Sequence, residues 1–136
     1  MLKQFPRDVK LVFKNLPLTK IHKFAMSAAT AALAAHEQGK VWEFHDKLFE
    51  NYNQITEQLI VDIAGQIGLD MNRFEADRKS SKIQQQVNND MKAAADSNVT
   101  GTPTIFINGR QLKQRSPEGI KQAVEAELAN LAKTRK

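Results

Sequence analysis

The sequence predicts an α+β domain on three observations: strand-like stretches toward both ends, five helical stretches between them, and a helix that closes the chain. Val9-Lys10-Leu11-Val12-Phe13-Lys14 alternates, placing Val9, Leu11 and Phe13 on one face with lysines flanking Val12 on the other. That pattern predicts a strand with a partly wet face, ended by Pro17. From Lys20 to Gln38, Ile21, Phe24, Ala25, Ala28, Ala32 and Ala35 recur at helical spacing, and Gly39 stands where a helix stops. Val41, Phe44, His45, Leu48 and Phe49, with Trp42 on the shoulder, give the next helix a broad apolar face.

Thr56 is a natural N-cap, Ile55 and Ile60 staple the turn around it, and Ile60, Ile63, Ala64 and Ile67 form a stripe that stops at Gly68. Asp70 repeats the arrangement, with Leu69 and Phe74 as the staple. Ser81 with Gln84 reads as a capping box for a helix whose inner positions are Ile83, Val87, Met91 and Ala94. Thr104–Ile107 should then fold back on Arg110–Lys113, because Asn108-Gly109 accepts positive φ at both centres of a type I′ turn. Alternation in that run covers both faces, the pattern of an inner strand. Ser116-Pro117-Glu118 opens a last helix lined by Ile120, Val124, Leu128 and Leu131.

A chain of 136 residues, 41% hydrophobic and 26% charged, suits one soluble domain with a real core. No apolar run approaches the roughly 18–20 residues that cross a bilayer, and Met1–Leu18 lacks the apolar centre of a signal peptide. The formal charge is +5. Neither a basic stripe with stacking aromatics nor a recognition helix accompanies it, so a nucleic-acid partner is not expected. There are no cysteines, which excludes a disulfide framework, zinc–thiolate sites and redox chemistry within the chain.

The run Val99-Thr100-Gly101-Thr102-Pro103-Thr104-Ile105-Phe106-Ile107-Asn108-Gly109-Arg110 resembles the cis-proline loop and following hairpin of the thioredoxin superfamily. Val12-Phe13-Lys14-Asn15-Leu16-Pro17-Leu18, the alanine-rich helix, and Glu37-Gln38-Gly39-Lys40-Val41-Trp42-Glu43-Phe44-His45-Asp46 resemble its DsbA-like branch. The resemblance implies one domain over residues 1–136. Residues 1–18 and 99–136 would form a truncated thioredoxin fold, with 19–98 as an inserted helical subdomain. It implies thiol–disulfide oxidoreductase or isomerase activity on extended or unfolded protein substrates in the bacterial periplasm or extracytoplasmic envelope, with a redox partner protein and no cofactor. Gly101, Thr102 and Pro103 would bind the substrate backbone, a cis Thr102–Pro103 bond turning that backbone outward so that a segment adds as a strand.

The family carries Cys-x-x-Cys after a first strand, and this chain has neither. Exchange requires a thiolate, so the chain as given is not itself catalytic. Met1-Leu2-Lys3-Gln4-Phe5-Pro6 resembles the end of the cysteine-bearing helix, so the cysteines are expected within about 11–12 residues, one average helix length, upstream of Met1. The gap left by the missing strand has two expected repairs. Val9–Lys14 pairs antiparallel with Pro103–Ile107, or a second copy donates a strand in a swapped homodimer. The alternative reading is a naturally cysteine-free peptide-binding or adaptor module.

Other chemistry finds little support. His22, His36 and His45 make no His-x-x-x-His pair, so no metal site is expected. Ser80, Ser81 and Ser116 are explained by caps rather than by a triad. Glu37, Glu43, Asp46 and Glu50 read as wet helix faces. No phosphate-binding glycine loop occurs.

Overall fold

The computed structural model describes residues 2–134, which form six helices and one two-stranded sheet among them. In chain order these are α1 (Ala25–Glu37), α2 (Val41–Glu50), α3 (Glu57–Gln66), α4 (Met71–Arg78), α5 (Ser81–Asp96), β1 (Phe106–Ile107), β2 (Arg110–Gln111) and α6 (Pro117–Thr134). The chain divides into two compact units. One is continuous, Lys14–Thr100, and the other joins Met1–Phe13 to Gly101–Lys136.

The continuous, helical unit is built around α1, which packs against α2, α3, α4 and α5. Ala31, Ala34 and Ala35 are fully buried on it, and such short side chains let the neighbouring helices close in. Phe44, Ile60, Ile63, Phe74, Ile83 and Val87 fill the space between. The Phe44 and Phe74 rings meet at 6.0 Å between centroids, tilted by 43°, within the range of favourable aromatic pairs.

At α3 and α4 the helix starts are closed by side chains as the sequence predicts. Thr56 Oγ1 accepts from the Leu59 amide at 3.1 Å and Asp70 Oδ1 from the Arg73 amide at 3.0 Å. At α5 the cap is Ser80 rather than the expected Ser81. Ser80 Oγ accepts from Ile83 N at 3.3 Å and donates to Asp77 O at 2.7 Å. One serine therefore closes the end of α4 and the start of α5, which Ser81 is a residue too late to do.

α1 stops at Gly39, whose φ of +73° sets the left-handed turn through which Lys40 N reaches Ala35 O at 2.9 Å. It begins at Ala25, later than the predicted Lys20, because residues 19–24 form turns. Lys40 Nζ donates to Ile67 O at 2.6 Å, placing a cation on the carbonyl end of α3. Gln38 and Asp70 exchange a pair of hydrogen bonds, Gln38 Nε2 to Asp70 O at 3.1 Å and Asp70 N to Gln38 Oε1 at 2.8 Å.

In the hairpin unit, β1 and β2 pair antiparallel with Phe106 opposite Gln111 and Ile107 opposite Arg110. Asn108 and Gly109 have φ of +47° and +78°, the expected positive values at both turn centres. The ladder is shorter than Thr104–Ile107 on Arg110–Lys113, although Leu112 N still reaches Ile105 O at 2.8 Å. Ser116 Oγ accepts from Gly119 N at 3.1 Å, Pro117 opens α6, and Val124 is its buried apolar residue.

Three expectations are corrected here. Val9–Lys14 forms no strand and does not pair with Pro103–Ile107: alternation makes a segment able to join a sheet, but a strand needs a hydrogen-bonded neighbour, and the sheet of the described residues is β1 and β2 alone. Leu11, Val12 and Phe13 are accordingly 54%, 64% and 49% exposed. Phe106 is 42% exposed, so β1 is not an inner strand. Residues 2–8 make turns rather than the end of a helix, with Val9 N on Phe5 O at 3.2 Å; Met1 lies outside the described residues.

Candidate functional site

The three residues proposed to meet substrate, Gly101, Thr102 and Pro103, lie in the loop that leads from α5 to β1. The chain leaves α5 through a left-handed turn. Asn98 takes a φ of +54°, and Val99 N turns back to Ala94 O at 2.8 Å, a helix stop in which asparagine serves where glycine is more usual.

The Thr102–Pro103 peptide bond is cis. Thr104 Oγ1 donates to Gly101 O at 2.7 Å, closing the backbone beneath it, and Arg115 Nη1 donates to Pro103 O at 2.5 Å. Both braces act on carbonyls beside Thr102. Thr102 and Pro103 are exposed, and the Thr102 N–H and C=O make no hydrogen bond among the described residues. An exposed donor and acceptor on one residue, in backbone held from both sides, is the chemistry that adding an extended segment as a strand requires.

A cleft of about 310 Å³ adjoins this edge, lined by Pro103, Thr104, Gln111, Leu112, Lys113 and Arg115. A second, of about 190 Å³, runs between the hairpin and α6 past Ile107, Arg110, Leu112, Ala123, Ala126 and Glu127. Asn108 Nδ2 and Arg110 Nη1 both reach the Glu127 carboxylate, at 3.1 and 3.4 Å, tying the turn to α6.

A family model described as the DSBA-like thioredoxin domain matches residues 3–125. The chain belongs to that family. The fold agrees with the thiol-disulfide exchange protein alpha-DsbA2 from Wolbachia pipientis, at a TM-score of 0.78 and 26% identity over 92% of this chain and 70% of that one. Among curated proteins, this DsbA-like chain is 35% identical over 128 residues to the Na(+)/H(+) antiporter NhaA 3 of Salinispora tropica, matching 94% of this chain and 19% of that protein. It is 33% identical over 109 residues to the Na(+)/H(+) antiporter NhaA of Herminiimonas arsenicoxydans, matching 80% of this chain and 17% of that protein. The chain thus spans about a fifth of the length of the curated relatives it matches.

The three histidines belong to the helical unit. His22 and His36 are exposed on the helical unit. His45 packs its ring on Phe49 at 4.4 Å and pairs with Asp46 at 3.0 Å. The described residues hold no group of three His, Cys, Asp or Glu side chains placed for a metal ion. None of their helices is long and apolar enough to cross a membrane.

Perturbed carboxylates occur in the helical unit and serve its packing. Hydrogen bonds from Lys82 hold Glu37 below the usual carboxylate range, and those from Ser27 and then Arg78 do the same for Glu57. Burial pushes Glu75 up, but Lys79 and Arg78 outweigh it and bring its carboxyl below the ordinary value. No motif marks Arg115: it lies 12 residues from Pro103, and only the hairpin brings it back.

Proposed function

We propose that the chain is the substrate-holding part of a DsbA-like thiol–disulfide oxidoreductase or isomerase. An extended or unfolded protein segment pairs with the Thr102 backbone while a thiol from outside these 136 residues does the chemistry. The observation that carries this reading is the loop around Thr102, braced at Gly101 O and Pro103 O, with Thr102 exposed and its backbone donor and acceptor uncommitted among the described residues. Family membership supports the activity, and the absence of cysteine makes the isolated chain redox-inactive, since exchange proceeds only through a thiolate. Residues 99–136 with 1–18 act as the thioredoxin-like part and 19–98 as the inserted subdomain. The extracytoplasmic envelope of a bacterium is the compartment in which such disulfides persist.

Among the described residues β1 has β2 as its one sheet neighbour. This leaves an edge for a strand from the rest of a longer protein or from a second copy. The antiporter relatives, which this chain matches over less than a fifth of their length, favour a second reading as an adaptor module appended to a transporter.

Titrating the isotopically labelled chain with an unfolded, thiol-blocked polypeptide tests the first reading. Amide shifts should concentrate at Gly101, Thr102 and Thr104, with no disulfide turnover when a thiol substrate is added. Shifts confined to the helical unit, or none, would overturn it.

A further inference from the structure

We infer that the cleft beside Pro103 selects extended segments that carry carboxylate side chains; this rests on the docking role proposed for Thr102 and deepens it. The charge of the molecule is divided between its units. Residues 1–13 and 101–136 hold ten Lys and Arg against four Asp and Glu, a net +6, whereas residues 14–100 hold ten against eleven, a net −1. The whole positive excess therefore lies on the unit that carries the cis junction.

Within that unit the cations differ in what they face. Arg110 is neutralised by Glu127 at 3.4 Å and Lys121 lies 3.9 Å from Glu125, but no carboxylate of the described residues pairs with Lys113 or Arg115. Those two line the cleft with Pro103 and Thr104, and no acidic residue does. Arg115 is fixed in place as well, because one of its N–H groups is bound to Pro103 O at 2.5 Å. A guanidinium has five N–H donors. The rest can meet a carboxylate on a segment lying along Thr102, without the cost of ordering the side chain afresh.

Lys113 is exposed, so its replacement leaves the core untouched. The test uses the full chain and three short labelled peptides that share their apolar positions and carry Glu, Gln or Lys at the others, read by fluorescence anisotropy. The Glu peptide should bind about fivefold to tenfold more tightly than the Gln peptide, the sum expected of two exposed charge pairs. High salt should erase most of the difference. Lys113→Glu should abolish the preference, and Lys121→Glu, on α6 outside the cleft lining, should leave it largely intact. Equal binding of the Glu and Gln peptides, or equal losses from the two Lys→Glu variants, would overturn the selectivity while leaving the docking role in place. Failure of all three peptides to bind would instead remove the docking role, and the selectivity with it.

Discussion

The helical unit and the hairpin unit solve different problems. Of the described apolar residues that are buried, all but Val124 belong to residues 14–100. The hairpin unit carries the cis junction, both clefts and the positive excess on a two-stranded ladder and one helix. The buried core is thus concentrated away from the loop proposed to take substrate. That loop is held by hydrogen bonds to two carbonyls rather than by a packed core, an arrangement that leaves its backbone exposed.

The largest test of that contrast is Phe74→Ala. It empties a fully buried site against Phe44 and should cost about 3–5 kcal/mol in denaturant unfolding. A loss under about 1 kcal/mol would mean that the helical core is not the source of stability.

Gly119→Ala sharpens the comparison from the other side. A Cβ there would lie 2.5 Å from the Gln114 carbonyl oxygen, which is backbone and cannot step aside cheaply. About 2 kcal/mol is expected. A neutral result would show that the start of α6 is looser than it looks. The pair Val87→Ala and Val124→Ala makes the same chemical change in each unit, and the former should cost about 1 kcal/mol more, because it leaves a closed cavity rather than one near solvent. Equal losses would erase the distinction.

Thr56→Ala removes the cap on Leu59 N and should cost about 1 kcal/mol, recovered largely by Thr56→Ser. Smallest is the response to acid. Glu37, Glu57 and Glu75 titrate below their ordinary value of 4.5 in the folded chain. Their contribution is therefore fully present above that value and is lost as pH falls through the lowered folded ones. Midpoints measured across that window should fall less in Glu57→Gln than in the parent chain.

The parts legible in sequence are those decided over a few residues. Asn108-Gly109 sets the turn whatever surrounds it, and Thr56, Asp70 and Ser116 cap the amides that follow them. Ser80 was hidden behind Ser81 because its advantage comes from also reaching back to Asp77 O. The stretch at Val9–Phe13 has a strand's alternation, yet pairing is a property of two segments and its second segment is not beside it. At the site, the family motif marked Gly101, Thr102 and Pro103, and the cis bond stands between the latter two. Arg115 and Lys113 were not legible, since only the folded hairpin places them beside Pro103.

Asp90 holds both Asn15 N, at 2.9 Å, and Lys14 Nζ, at 3.4 Å, across 75 residues of chain. The polypeptide thus enters the helical unit at a point fastened to the last helix before it leaves. Asp90 is thus a clasp: it closes residues 15–90 into a loop of polypeptide, so that the start of the unit cannot fray without releasing its grip on α5.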